Sequence, residues 1–175
     1  MPSRLAKPFI VDAHALIDYC ESDLSVLGTL SRKVQPVHIG RATFDKVRQL
    51  SESEATAYRL LIVTPDIETV IAASRRRRSL AYDDHETLLL AQKHGWSCIT
   101  SDRVLRRECE LEGVPTLWGL DPLKLLVEIR SLRPSRALAI ARQIQAVNAR
   151  YITAAIIERF QAEIGRISEK PGPDD

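Results

Sequence analysis

The sequence is short of several things that would narrow its class. Its three cysteines, Cys20, Cys98 and Cys109, are odd in number and lack any paired metal-ligand spacing. That argues against a disulfide framework and for a reducing, cytoplasmic setting. No window approaches the apolar length of a membrane span, so no membrane association is expected. The N-terminal stretch "MPSRLAKPFIV" has no signal-peptide h-region, because Asp12 interrupts its only apolar run. Glycine is missing where a nucleotide binder would need it: "VDAHAL", just after that run, contains none, which disfavours a phosphate-cradling loop. Charge of one sign is also scarce. A net charge of +2 and a pI of about 8.5 leave a polyanionic partner open without requiring one. His14, His38 and His94 show no metal-ligand spacing.

What is present is ordinary globular material: 175 residues, 45% hydrophobic and 27% charged, enough for one domain with a substantial core. Short apolar runs alternate with segments of helical period. "PFIV", "VQPVHI", "LLIVTP", "WSCITSD" and "VPTLWG" read as strands. Between them, "AHALIDYCES" continuing into "LSVLGTLSRK", then "RATFDKVRQLSESEATAYRL", "IETVIAASRRRR", "DDHETLLLAQKHG" and "RVLRRECELEG" read as helices. Asp66 stands where an N-cap belongs. Gly95 and Gly113 stand where helices close. Strands alternating with helices imply an α/β domain with a mainly parallel sheet. From Leu120 onward the chain is helical in pattern, with breaks at Pro134 and near Asn148. The expected organisation is a core over 1–120, C-terminal helices over 121–168, and a disordered tail over 169–175.

The chemistry is expected at the carboxyl ends of the strands, where open parallel sheets bind ligands. "FIVD" ends in Asp12 and "CITSD" in Asp102, while "DDHETLLLA" places Asp84, with Asp83 beside it, in the first turn of the helix before that last strand. An unpaired buried carboxylate is expensive, so each needs a partner or a function. Each alone has a plain explanation as a helix N-cap. Gathered at one sheet end they would repel, and a hard divalent cation with oxygen ligands, Mg2+ or Mn2+, would relieve that repulsion.

The stretches "IVDAHALIDY", "AYDDHETLLLAQKHGWSCITSD" and "RVLRRECELEGVPTLWG", in that order over roughly residues 8 to 120, resemble the PIN-domain ribonucleases, a family that includes the toxins of many bacterial toxin–antitoxin pairs. The resemblance implies a Rossmann-like three-layer α/β/α sandwich and divalent-metal-dependent hydrolysis of RNA at an acidic cluster. It implies a plausible toxin role with an antitoxin protein as partner, and pairing of two copies as a homodimer. By the resemblance Asp12, Asp84 and Asp102 match the family acids and would hold the metal. Thr100 matches the small hydroxylated residue that would orient a carboxylate or water. A family glutamate is expected where "TFDKVRQL" has Lys46. Its neighbour Asp45 is shorter, and adjacent helical residues project about 100° apart. Either Asp45 joins as a fourth catalytic acid, or the site has three acids, or Lys46 replaces a metal charge and leaves an RNA- or protein-binding module with weakened catalysis.

Two basic clusters accompany the acids. Arg75 to Arg78 suit a solvated helix C-terminus or a phosphate-contacting patch. Arg103, Arg106 and Arg107 lie next to Asp102, where substrate phosphates would pass, and are the preferred RNA contacts. His85 is expected at the surface or in a capping role, Trp96 and Trp118 in core packing, and Tyr82 as an aromatic to test for base contact. Ile152, Ile156, Phe160 and Ile164 recur at helical spacing and are expected to pack on the domain or to serve a second copy or a partner.

Overall fold

The computed structural model describes residues 7–75 and 79–169. Three residues of the arginine run, 76–78, and the tail 170–175 lie outside the described residues. Five parallel strands form one sheet: β1 (Phe9–Val11), β2 (Val37–Gly40), β3 (Leu60–Val63), β4 (Ser97–Ile99) and β5 (Thr116–Leu117), in the order β3-β2-β1-β4-β5. The connections are helical: α1 (Ala13–Glu21), α2 (Ser25–Lys33), α3 (Arg41–Lys46), α4 (Glu52–Ala57), α5 (Ile67–Ser74), α6 (Tyr82–His94) and α7 (Arg103–Leu111). After β5 come α8 (Asp121–Glu128), α9 (Pro134–Val147) and α10 (Ala154–Ser168).

The central strand β1 is apolar at every position because both faces of the sheet are covered. Period-two alternation sends neighbours to opposite cores. Phe9, Val11 and Ile99 enter one core with Leu16, Leu27, Leu123, Ile140 and Phe160, while Ile10 and Cys98 enter the other with Leu88, Leu105 and Cys109. Helices therefore lie on both sides, a three-layer α/β/α sandwich. The C-terminal helices belong to the first layer: α8 packs on α2 and α10, and α9 on α1 and α10. Ile152, Phe160 and Ile164 are buried there. Among the described residues no helix is long and apolar enough to cross a membrane.

The helix ends follow local chemistry. Asp66 caps α5 by accepting from Thr69 N at 3.0 Å, and Gly95 closes α6 in the left-handed conformation at φ 69°. The long helix expected over "RATFDKVRQLSESEATAYRL" is two short ones. Val47 turns extended (φ −87°, ψ 97°), and Ser51 restarts the chain through a capping box in which Ser51 N donates to Glu54 Oε2 at 2.9 Å. Likewise α1 ends before α2 begins.

Leaving β1 the chain winds toward β2 and β3, and later returns to β4 on the opposite side of β1. The strand order reverses between β1 and β4, which makes their carboxyl ends a topological switch point, the crevice where such sheets bind ligands.

Candidate metal centre at the sheet switch point

Asp12 directly follows β1 and is fully buried. Its Oδ1 accepts from Ala15 N at 2.8 Å, capping α1, and its Oδ2 accepts a short hydrogen bond from the Thr100 hydroxyl. Thr100, just past β4, also accepts from Asp102 N at 3.0 Å. One buried hydroxyl thus ties the two strand ends together. Asp102 Oδ1 caps α7 by accepting from Val104 N at 2.6 Å and Leu105 N at 3.1 Å. The capping roles weighed from the sequence are real for both residues, and each leaves carboxylate capacity over.

Asp84 is different. It lies in the first turn of α6, 8% exposed, and its Oδ1 is buried with no hydrogen-bond partner. Ala81, not Asp83 or Asp84, is the N-cap of this helix. Burial, then the charges of Asp83 and Asp12, raise the Asp84 carboxyl to about 7, with a smaller contribution from Asp102. Burial raises Asp12 to about 6, partly opposed by the hydrogen bonds from Thr100 and Ala15; Asp102 adds to the rise. Asp12, Asp84 and Asp102 are therefore brought within mutual electrostatic reach at one sheet end.

Lys46 reaches this pocket from α3. Its Nζ donates to both oxygens of Asp83, at 3.1 and 2.9 Å. Burial works against the ammonium, but the bonds to Asp83 and the charges of Asp83, Asp84 and Asp12 outweigh it and hold the Lys46 pKa above its ordinary value. Asp45, weighed as a fourth acid, lies elsewhere. Its side chain is 62% exposed and stands 3.8 Å from Arg41 one turn back, because its position on α3 faces solvent. Lys46, one residue on, is the member of that helix that faces the acids.

Two residues of α6 escaped the sequence reading. Glu86 is 2% exposed, and its Oε1 accepts from Ala42 N at 2.9 Å, locking α3 against α6. Gly40 makes room for it, since a β-carbon there would stand 2.7 Å from Glu86 Oε1. Burial raises the Glu86 carboxyl, against the pull of the Ala42 N–H. His85, expected at the surface or as a cap, is buried instead, with Nδ1 at 3.1 Å from Ala73 O of α5. The glycine ending β2 was the one local signal for Glu86. His85 had none, because its partner comes from another helix.

The arginines divide. Arg103 and Arg107 are exposed and line a shallow groove with Ser79, Val104 and Leu111. Arg106 is half-buried, with its guanidinium 4.4 Å from the Trp118 ring centroid and 3.6 Å from Glu110. Tyr82 is 42% exposed at the start of α6. Trp96 lies at the other end of the sheet, stacked between His38 and His94 with centroids at 3.8 and 4.4 Å.

The donor set of Asp12, Asp84 and Asp102 is all hard oxygen, and the orphaned Asp84 Oδ1 is a ligand atom without a partner, so the chemistry fits a hard divalent cation. Among the described residues no three His, Cys, Asp or Glu side chains stand close enough, as arranged, to clasp one ion.

Fold and site together define an α/β sandwich with acids at its switch point. No family model matches the chain, and no curated protein matches it in sequence. Among solved structures it is similar to a PilT N-terminus domain protein from the hyperthermophilic archaeon Sulfolobus solfataricus P2. The match has a TM-score of 0.50 at 10% identity and covers 65% of this chain and 88% of that chain. At that identity the likeness is one of architecture: the fold is PIN-like.

Proposed function

We propose that the protein is a divalent-metal-dependent nuclease that hydrolyses phosphodiester bonds in RNA. The observation that carries this reading is the set of three electrostatically coupled carboxylates, two of them buried at the switch point, one with an unpartnered buried oxygen. Such a set is costly to retain unless a cation compensates it. Asp12 and Asp102 would hold the ion, kept in register by Thr100. When bound, Mg2+ or Mn2+ supplies Lewis-acid stabilisation of the phosphate and acidifies water. Asp84, with Oδ1 unengaged, would take a proton from an attacking water or orient it. Arg103 and Arg107, exposed one and five residues past Asp102, would contact phosphates along the strand.

A second reading has its own observation. Lys46 already brings a positive charge to the acids through Asp83. On that reading the ammonium stands in for a metal charge, and the domain binds RNA without cutting it. Cleavage of a labelled single-stranded RNA, titrated with Mn2+ and Mg2+, separates the two. The nuclease reading expects metal-dependent cleavage that disappears in an Asp12→Asn, Asp102→Asn double variant and rises in Lys46→Glu. RNA binding with no cleavage in either metal, by wild type and Lys46→Glu alike, would replace the nuclease with the binding module.

A further inference from the structure

Beside the acids, where β5 meets the C-terminal helices, lies a cavity of about 320 Å3. Its floor is apolar, made by Leu120, Ile152 and Phe160, with Ile156 and Trp118 on its walls. Its rim is charged. Lys124 is balanced by Asp121 at 3.1 Å and by an ion pair with Glu163. Arg159, exposed on the rim, has no hydrogen-bond or ion-pair partner among the described residues. The cavity is large enough for one small ligand with an apolar face; its rim carries two cations and two carboxylates, and both carboxylates are engaged by Lys124, which leaves the Arg159 guanidinium unengaged.

The cavity is physically joined to the acidic site. Arg106 N donates to Asp102 O at 3.0 Å, one turn of α7 past the acid, and the same residue's guanidinium stacks on Trp118. The floor of the passage is pinned as well. Tyr19 Oη donates to Gly119 O at 2.5 Å, and a β-carbon at Gly119 would stand 2.1 Å from Ser101 Oγ, so the 118–120 segment lies directly against the 101–102 segment.

We propose that this cavity is a nucleotide subsite. It takes one unpaired base of the RNA strand whose phosphate lies over Asp12 and Asp102, with the base against the apolar floor and the side of Trp118 that Arg106 does not cover, and a flanking phosphate on Arg159. This rests on the RNA reading above and adds to it a specific place for a base. Stacking on an aromatic ring tolerates any base and demands a single strand, so the subsite selects unpaired RNA over duplex. The rival occupant, an apolar side chain of a protein partner, gains nothing from the contact of Gly119 with Ser101, the neighbour of Asp102.

The test uses the two tryptophans of the chain. Trp96 is buried between two histidine rings, so a fluorescence change on adding a short single-stranded oligonucleotide in EDTA reports on Trp118. The subsite expects quenching that saturates with the binding measured by anisotropy and that is lost in Trp118→Phe. Ile156→Phe, which narrows the cavity, should weaken binding about tenfold, within the range for one stacked base. Arg159→Ala should lower the slope of log affinity against log salt by about 0.7. Melting temperatures within a few degrees of wild type show that the variants fold. If wild type binds or cleaves RNA with no Trp118 quenching, or if both cavity variants bind like wild type, the subsite is wrong and the RNA reading stands. If wild type binds no RNA by anisotropy, both fall.

Discussion

Asp84→Asn should stabilise the metal-free protein, and by clearly more at pH 8 than at pH 5. In the unfolded chain this carboxyl titrates at its ordinary value of 3.8; in the folded chain burial and neighbouring acids raise it to about 7. A raised carboxyl favours the fold while it stays protonated, so its contribution is complete below 3.8 and is lost as pH rises through about 7. Between pH 5 and 8 roughly two pH units of that linkage fall away, at about 1.4 kcal/mol each, or about 3 kcal/mol. For a domain of this size about 3 kcal/mol corresponds to roughly 6–12 °C in melting temperature. Asparagine carries no proton to lose, so the difference between variant and wild type should open by that amount across the window, read by thermal melts in EDTA. Mn2+ at a hundredfold excess over its Kd would itself stabilise by about 2.7 kcal/mol, which is why the melts are compared in EDTA. Parallel pH profiles for the two proteins would refute the claim that Asp84 is held protonated by its surroundings.

Thr100→Val removes the hydroxyl that donates to Asp12 Oδ2 and accepts from Asp102 N. It should cost about 1–3 kcal/mol in urea unfolding and move the Asp12 carboxyl above its value of about 6, followed by carboxyl-carbon NMR. Gly40→Ala keeps an allowed backbone (φ −62°, ψ 147°) but places a β-carbon 2.7 Å from Glu86 Oε1. It should destabilise by about 1–3 kcal/mol through overpacking, and a urea midpoint equal to wild type would show that Glu86 does not need that space.

The strand ends were legible because two requirements coincide in "FIVD" and "CITSD". Residues buried on both sheet faces must be apolar, and the first residue beyond them must start a helix, which an aspartate does by capping. The acids of the candidate site were thus readable from local pattern, and their convergence followed from parallel topology. What was not legible is what depends on partners from other elements. Nothing local tells that Lys46, rather than Asp45, turns toward α6, because that depends on where α3 stops and how Glu86 grips its start. His85, read from the sequence as a surface or capping residue, lies in a polar run, "DDHET", that is buried throughout, since Ala73 O, Ala42 N and Thr43 satisfy His85, Glu86 and Thr87 from α5 and α3. Burial of polar groups is set by tertiary hydrogen bonds, and those have no period in the sequence.

Lys46 also explains why adjacent acids behave differently. Its ammonium is bonded to both oxygens of Asp83, so that carboxylate has its counter-charge in place. Asp84 gets only the distant attraction of the same lysine, set against burial and the repulsion of Asp83 and Asp12. The metal-free pocket therefore balances its charge with one fixed ammonium and with protons retained on Asp84 and Asp12. On the nuclease reading an ion held by Asp12 and Asp102, with Asp84 beside it, would drive off those protons, so binding should release protons and tighten as pH rises from 6 to 8. An RNA-binding module relying on Lys46 alone has no such exchange to make. Proton release on adding Mn2+ is thus where the two readings of this site diverge, independently of whether any RNA is cut.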